Sequence, residues 1–97
     1  MAQVVYSARV LGSLEHELGS LLARNPTAAE PAADAIESAV GTLAAHPLVG
    51  RRIEADLREL VISFGITGYI ALYRFEVRED TVRVLALRHQ QEIGYLP

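Results

Sequence analysis

Residues 84–95, VLALRHQQEIGY, join an apolar strand pattern to side chains that could carry out chemistry. Arg88 and His89 end the apolar stretch, and Tyr95 follows shortly after them. Arginine can stabilise an anion, histidine can accept or donate a proton near neutral pH, and the tyrosine hydroxyl can donate one. Catalysis, contact with a partner and a simple polar strand end are therefore three open interpretations of this stretch.

The composition predicts one globular domain covering residues 1–97, because 51% of its residues are hydrophobic. No apolar run is long enough for a membrane span, and the first residues lack the pattern of a signal peptide. We therefore expect a cytoplasmic protein with no membrane partner. The chain has no cysteine, and no pair of histidines or carboxylates has the spacing of metal ligands. We expect no metal and no cofactor.

The charge argues against a general nucleic-acid-binding protein. The net charge is −3, and the nine basic residues are all arginine. Binding to phosphates in general needs a positive surface, which this composition does not provide. Arginine side chains could still bind a carboxylate or a phosphate at single sites.

A first strand at residues 3–9 is expected to lead into an amphipathic helix that begins at Val10. The helix ends at Asn25-Pro26, because proline disfavours a helical residue before it. Its apolar stripe consists of Leu11, Leu14, Leu18, Leu21 and Leu22. Its other face, expected to be solvated, contains Ser13, Glu15, His16, Glu17 and Ser20.

A second helix follows and ends at His46-Pro47. Its apolar stripe consists of Ala32, Ala35, Ile36, Ala39, Val40, Leu43 and Ala44. Its start is open, since Thr27 and Glu30 have the spacing of a capping box whereas Pro31 suits a first helical position. The short connection predicts that the two helices form an antiparallel hairpin.

Three strands are expected at residues 57–64, 69–77 and 81–89, after a loop at 47–52 and a helical turn at 53–56. The last two strands are so close in sequence that they should form a β-hairpin. This order predicts an α+β domain with an N-terminal strand, an antiparallel α-hairpin and a three-strand antiparallel meander. Both helices should pack on one face of the sheet.

The expected register of this β-hairpin predicts a cross-strand charge pair and an apolar patch. A turn centred on Glu79-Asp80 would set Glu76 opposite Arg83, which is favourable. In this register, four aliphatic residues share the face that the helices cannot cover, and Arg74 and Arg83 border them. These four residues are Ile70, Leu72, Leu85 and Leu87. An exposed patch of this kind is typical of an interaction site.

The order and spacing of several motifs resemble the RelE/ParE superfamily, the small toxins of bacterial type II, or plasmid-stabilisation, toxin–antitoxin modules. The motifs are NPTAAE between the helices, HPLVGR after them, and LREL, GYIALYRF and VRVLALRH in the strands. The resemblance implies a toxin that arrests bacterial growth and is neutralised by a disordered antitoxin segment that folds on binding. The expected antitoxin-binding residues are Ile70, Leu72, Arg74, Arg83, Leu85 and Leu87.

The two branches of this superfamily imply different targets. RelE-like members are metal-independent endoribonucleases that cut mRNA on the ribosome, whereas ParE-like members poison DNA gyrase and have no known catalytic site. If the chain is a nuclease, the resemblance implies four catalytic residues for stabilising phosphate charge and transferring protons. These four residues are Arg58, Arg88, His89 and Tyr95.

The departures from the nuclease pattern favour the ParE-like branch. Leu60 and Ile70 occupy positions where the nucleases are basic, and the stretch Tyr69–Arg74 resembles the ParE pattern of two tyrosines around three apolar residues. We therefore expect a gyrase poison without enzymatic activity. A RelE-like ribonuclease and a non-toxic module that acts with the antitoxin in autoregulation are the alternatives.

Overall fold

The computed structural model describes residues 1–95, which form two helices packed on a five-stranded sheet. Strand β1 (Gln3–Tyr6) is followed by helices α1 (Ala8–Arg24) and α2 (Ala29–Gly41), and a short 3-10 helix (Thr42–Ala44) continues α2. The remaining strands are β2 (Arg51–Glu54), β3 (Leu57–Phe64), β4 (Thr67–Glu76) and β5 (Thr81–His89). The sheet order is β1-β5-β4-β3-β2. Within residues 1–95, no helix is long and apolar enough to cross a membrane.

The predicted α+β class is confirmed, but the sheet contains one strand more than predicted. Residues 53–56 were expected to form a helical turn, whereas Ile53 and Glu54 belong to the edge strand β2. The turn to β3 is instead made by Ala55, whose φ of 45° is left-handed, and Arg52 Nε donates a hydrogen bond to its carbonyl at 2.7 Å. Strands β2 to β5 pair antiparallel in succession, and β1 pairs parallel with β5.

Helix α1 buries part of the predicted leucine stripe, since Leu14, Leu18 and Leu21 pack in the core, but it also buries two positions expected to be solvated. The buried residues are Val10, Ser13, Glu17 and Leu21, whereas Leu11 and Leu22 are each 54% exposed. The expectation that Ser13 and Glu17 are solvated is therefore wrong. The reason is that α1 packs against both β5 and α2, so its buried arc is wider than one leucine stripe and includes these polar positions.

The start of α2 matches neither predicted cap. The helix begins at Ala29 with Ala28 as its N-cap residue, and no side chain caps it. Thr27 instead donates its hydroxyl hydrogen bond to the Asn25 side chain at 3.0 Å. Helices α1 and α2 contact each other and share one hydrophobic core with the sheet face beneath them.

The register of the β4–β5 hairpin differs from the predicted one from the turn onward, and a β-bulge in β5 shifts it once more. Near the turn Arg83 lies opposite Arg74 rather than Glu76, although Arg83 still forms a diagonal ion pair with Glu76 at 3.0 Å. Further along, Leu72 pairs with Ala86 while its neighbour Tyr73 pairs with Val84, so Leu85 is the extra residue. Since side chains alternate along a strand, the extra residue exchanges the faces of every later position in β5.

Ser7 joins this bulge to the start of α1. Its hydroxyl oxygen accepts a hydrogen bond from the Val10 N–H at 3.1 Å, which caps the helix. The same hydroxyl donates to the carbonyl of the bulged residue Leu85 at 3.2 Å. Its backbone N–H donates to the Val84 carbonyl at 3.0 Å. One serine therefore ends β1, begins α1 and bonds a carbonyl of the bulged segment.

We expect Ser7→Ala to lower the free energy of unfolding by about 1–2 kcal/mol, because it removes the cap of α1 and the bond to Leu85 together. Urea unfolding followed by circular dichroism would measure the change. The matched control is Ser20→Ala, an exposed position on the same helix, which should be neutral or slightly stabilising. Equal stability of Ser7→Ala and the unchanged protein would contradict the role given to Ser7.

Candidate functional site

Arg88 and His89 lie on opposite faces of the sheet, as expected for neighbours in a strand, but each is on the face predicted for the other. Arg88 pairs with Ile70 on the face away from the helices, which we call the outer face. His89 pairs with Tyr69, which belongs to the core beneath the helices. The exchange follows from the bulge at Leu85, which sequence alternation could not reveal.

The outer face contains a buried carboxylate, Glu59, around which three other polar side chains assemble. Glu59 lies in the middle of β3 and its side chain is only 8% exposed. Arg51 Nη2 donates to one carboxylate oxygen at 2.9 Å, and the Tyr95 hydroxyl donates to the other at 2.6 Å. Arg88 Nη2 lies 3.9 Å from that second oxygen, and its guanidinium carbon lies 5.3 Å from the centre of the Tyr95 ring. We call these four residues the Glu59 cluster.

The electrostatics of the cluster keep Glu59 ionised and Tyr95 protonated. Burial by itself raises the pKa of Glu59, but hydrogen bonds from Tyr95 and Arg51 and the charges of Arg88 and Arg51 lower the pKa overall. Burial raises the pKa of Tyr95, and the Glu59 carboxylate that accepts its proton raises it further. A buried carboxylate with matched donors is a stable anchor rather than a reactive base.

This cluster fixes the segment after β5 against the sheet. Arg88 Nη1 donates to the Glu92 carbonyl at 2.6 Å, so the arginine hydrogen-bonds the segment while it forms an ion pair with Glu59. Because Arg88 and Glu59 pair with Ile70 and Leu72 respectively, Tyr95 reaches across β4 above these two aliphatic residues. The four polar groups are thus directed at one another, and although Arg51 is exposed, a substrate could reach the buried Glu59 carboxylate only if the segment moved.

His89 is held beside α1, away from the Glu59 cluster. Its Nδ1 accepts the Gln91 backbone N–H at 3.1 Å, and its Nε2 lies 3.0 Å from the Thr67 hydroxyl. Nδ1 is therefore an acceptor, which places the proton of a neutral ring on Nε2. The Tyr69 ring meets the imidazole edge-on, with 5.5 Å between ring centres. The histidine is thus engaged on both nitrogens.

Arg58 stabilises the loop before β2 and is not part of the Glu59 cluster. Its Nη1 donates to the carbonyls of Leu48 and Gly50 at 3.1 and 2.9 Å. The buried Tyr73 hydroxyl supports the same loop, since it donates to the Pro47 carbonyl and accepts the Gly50 N–H, both at 2.8 Å. Of the four residues proposed for a nuclease, the structure therefore brings together only Arg88 and Tyr95, whereas Arg58 and His89 lie elsewhere.

The predicted exposed aliphatic patch does not form, for two reasons. Leu87 is only 1% exposed and belongs to the core under the helices, because the bulge moves it to that face. Ile70 and Leu72 remain on the outer face but are each 8% exposed in the chain itself. Leu85 is half-buried. The expectation that these four side chains form one open surface is therefore wrong, although their role in binding an antitoxin stays a prediction.

The two arginines expected to border the patch are both ion-paired. Arg83 bonds Glu76 through Nε and Nη2, and Arg74 Nε lies 3.2 Å from the Asp56 carboxylate. Both pairs are partly exposed to solvent, so each contributes little to stability, about 0–1 kcal/mol. Their charges remain at the rim of the outer face.

A second buried carboxyl group, Glu17, lies on the helix side of the sheet beside Glu92. The pKa of Glu17 is raised to about 8, first because the carboxyl is buried and then because the Glu92 carboxyl lies beside it, while Arg24 partly offsets this. The pKa of Glu92 is lowered by its bond with the Glu17 carboxyl and by the His89 N–H, which donates to it at 2.9 Å. The proton of the pair therefore stays on Glu17 at neutral pH.

This pair makes stability depend on pH. The ordinary pKa of 4.5 applies to Glu17 in the unfolded chain, so between about pH 4.5 and 8 the folded state holds a proton that the unfolded state has lost. Stability therefore falls as the pH rises through this window. We expect Glu17→Gln to remove this fall and to stabilise the protein at pH 9 by on the order of 1–3 kcal/mol relative to the unchanged chain.

Urea unfolding at intervals from pH 5 to 9 in metal-free buffer would test this expectation. Glu15→Gln is the matched control, since Glu15 lies two positions away on the exposed side of the same helix. The control should keep the slope of the unchanged protein. An identical slope in Glu17→Gln would show that Glu17 releases its proton in the folded state at its ordinary pKa.

Glu59, Arg51 and Glu92 belong to these two sites but were not among the site residues predicted from the sequence. Glu59 had a usable signal, since a carboxylate in the middle of the apolar strand LRELVISF needs partners once it is buried. Glu92 had no such signal, because it lies outside the regular elements and meets α1 only through the fold.

Comparison with known proteins agrees with this architecture. Residues 4–94 match the family model described as the ParE toxin of type II toxin-antitoxin system, parDE. The chain therefore belongs to the ParE toxin family, within the RelE/ParE superfamily of type II toxins.

The individual relatives carry RelE names. The chain is 44% identical to Toxin RelE3 of Caulobacter vibrioides over 72 residues, which cover 74% of this chain and 76% of the relative. It is 34% identical to Toxin RelE2 of the same organism over 89 residues, covering 92% and 96% respectively. The crystal structure of the RelBE2 toxin–antitoxin complex from Mycobacterium tuberculosis contains a similar fold, with a TM-score of 0.60 and 27% identity over 92% of this chain and 98% of that one.

Proposed function

We propose that this chain arrests bacterial growth as a cytoplasmic toxin and is neutralised by a cognate antitoxin protein. The family match supports the toxin class. The structurally similar Mycobacterium tuberculosis chain belongs to a toxin–antitoxin complex, which supports a partner of the same kind here.

Within this class, we infer that the target is DNA gyrase and that the toxin acts by binding rather than by catalysis. The observation that carries this inference is the separation of the nuclease candidates among residues 1–95. Arg88 and His89 lie on opposite faces, and Arg58 bonds loop carbonyls. Cleavage of RNA without a metal needs a proton acceptor, a proton donor and a phosphate-stabilising cation around one bond. This arrangement does not supply them together.

The second candidate function is ribosome-dependent mRNA cleavage. The RelE names of the two Caulobacter relatives favour it. Arg88 and Tyr95 are adjacent in the Glu59 cluster, so release of the segment after β5 would expose a cation and a phenol on the outer face. The proton acceptor would then have to come from Glu59 or from the ribosome, because His89 is on the other side of the sheet.

Inducing the chain alone in a bacterial host separates these functions. We expect growth arrest, loss of DNA supercoiling and intact transcripts, with rescue by the small neighbouring gene. Plasmid topology on chloroquine gels and primer extension on a reporter transcript are the two measurements. The variants His89→Ala and Tyr95→Phe should remain toxic.

Two results would contradict the proposal in different ways. Codon-phased cuts in the transcript, lost in His89→Ala and Tyr95→Phe, would establish the nuclease instead. A folded, abundant and harmless protein in several hosts would favour a non-toxic module that acts only with its antitoxin.

For the antitoxin, we propose the outer face as the binding surface, through Ile70, Leu72 and Leu85 with Arg74 and Arg83 at its rim. Ile70 and Leu72 are covered in the chain alone, so an apolar antitoxin segment must take the place of Tyr95 above them. Aliphatic burial contributes up to about 1.5–3 kcal/mol for each side chain, against about 0–1 kcal/mol for a rim ion pair. The aliphatic residues should therefore dominate the affinity.

We expect Leu85→Ala to weaken antitoxin binding about tenfold and Arg83→Ala to weaken it less. Tyr95→Phe should strengthen binding a few-fold, because it removes the hydroxyl bond to Glu59, of about 1 kcal/mol, that holds the competing segment in place. Calorimetry with a synthetic antitoxin peptide would measure all three changes.

A second apolar surface provides the control for this experiment. A groove of about 400 Å³ between the helices and β1 is lined mainly by apolar side chains, among them the exposed Leu11 and the half-buried Leu14. If Leu11→Ala weakens binding while Leu85→Ala and Tyr95→Phe leave it unchanged, the antitoxin occupies the groove and the outer-face proposal fails.

A further inference from the structure

A polar cavity of about 290 Å³ lies where α1 meets the end of β5 and the segment that follows it. Its lining includes His16, Glu17 and Arg24 from α1, with His89 and Glu92 from the other side. This cavity lies across the sheet from the Glu59 cluster. Neither gyrase binding nor mRNA cleavage, as argued above, makes use of it.

Three side chains in this cavity present metal-binding atoms to one another. One ring nitrogen of His16 and one carboxylate oxygen each from Glu17 and Glu92 all lie within 4.8 Å of one another. The corresponding spacing in a tetrahedral zinc site is about 3.4 Å, from metal–ligand distances of about 2.0–2.1 Å. The exposed His16 and the half-buried Glu92 can close this difference by side-chain rotation.

Glu17 gives an independent indication that a ligand belongs here. It is 94% buried, since only 6% of the residue is exposed, and its Oε2 has no hydrogen-bond partner among the described residues. His16 Nε2 lies 4.0 Å from that oxygen, too far for a hydrogen bond. A buried carboxylate oxygen without a donor costs free energy unless a proton or a cation compensates it.

The surroundings favour a cation with an affinity for imidazole. One oxygen of Glu92 is oriented by the His89 N–H at 2.9 Å, and the same carboxyl bonds Glu17, so a cation that binds here takes the place of the proton held between the two carboxyl groups. His89 itself has both ring nitrogens engaged and acts as a wall of the cavity. Arg24 provides one positive charge against the two carboxylates that are present once this proton has left. A set of one imidazole and two carboxylates suits zinc and similar transition metals better than magnesium or calcium.

We propose that His16, Glu17 and Glu92 bind one divalent transition-metal cation, which joins α1 to the segment after β5. The fourth coordination position is left for water or an external ligand. Because Glu92 lies only three residues before Tyr95, the cation also restrains the segment that covers the outer face.

Calorimetric titration of ZnCl₂ into the chelator-treated full chain tests the site. We expect one Zn²⁺ per chain with a dissociation constant in the micromolar range, and at least tenfold weaker binding in His16→Ala and in Glu92→Gln. Zn²⁺ should raise the melting temperature of the unchanged chain but not that of His16→Ala. Both substitutions are at exposed or half-buried positions, so the test does not depend on altering the buried Glu17.

The matched controls are His46→Ala and Glu15→Gln, which remove an exposed histidine and an exposed carboxylate outside the cavity. Both should bind Zn²⁺ as the unchanged chain does. The proposal is overturned if saturable binding is absent at 100 µM Zn²⁺, a concentration far above the expected dissociation constant. Binding that survives in both His16→Ala and Glu92→Gln overturns it equally. Neither result bears on gyrase or mRNA, so the proposed function is tested separately.

Discussion

The bulge at Leu85 is the constraint on which both polar sites depend. It inserts one residue into β5 opposite β4, so Leu87 and His89 turn towards the helices and Ala86 and Arg88 towards the outer face. Without it, Leu87 could not belong to the core and Arg88 could not reach Glu59. The Ser7 hydroxyl holds the bulged carbonyl and the first turn of α1 together. The position of α1 and the alternation of β5 are therefore fixed by the same contact.

The two buried carboxyl groups are stabilised in opposite ways. Glu59 is surrounded by donors and cations, so its charge is retained and it anchors Tyr95 and Arg51. Glu17 is buried beside the carboxyl group of Glu92, so it retains its proton instead. A buried charge is tolerated only where its environment supplies the opposite charge. The same residue type therefore forms a stable anchor on one face and a pH-sensitive, cation-compatible group on the other.

The segment after β5 connects these two sites. Glu92 contacts α1 through Glu17, and Tyr95 contacts β3 through Glu59, so one short stretch is bonded on both sides of the sheet. A protein that binds the outer face must break the second set of bonds, whereas a cation beside Glu17 would reinforce the first. If that cation binds as proposed, access to the outer face depends on the chemistry of a cavity on the helix side.

Local sequence determined the elements of this toxin but not the way in which they meet. Strands β3 and β5 were predicted at their observed boundaries, because alternation and β-branched residues act within a few positions. The end of α1 followed from Pro26. The family was also evident from the order of the motifs, and the family match confirms it.

Tertiary structure decided the faces, the partners and the burial. The bulge at Leu85 has no local signal, since one extra residue in an apolar run leaves the composition of the strand unchanged. The burial of Glu17 arises because α1 contacts both β5 and α2, and the pairing of Glu59 with Tyr95 joins positions that are distant in the chain. Alternation and helical period report only neighbours along the sequence. Which face a residue occupies and which charge it meets depend on contacts between distant segments, and these exist only in the folded chain.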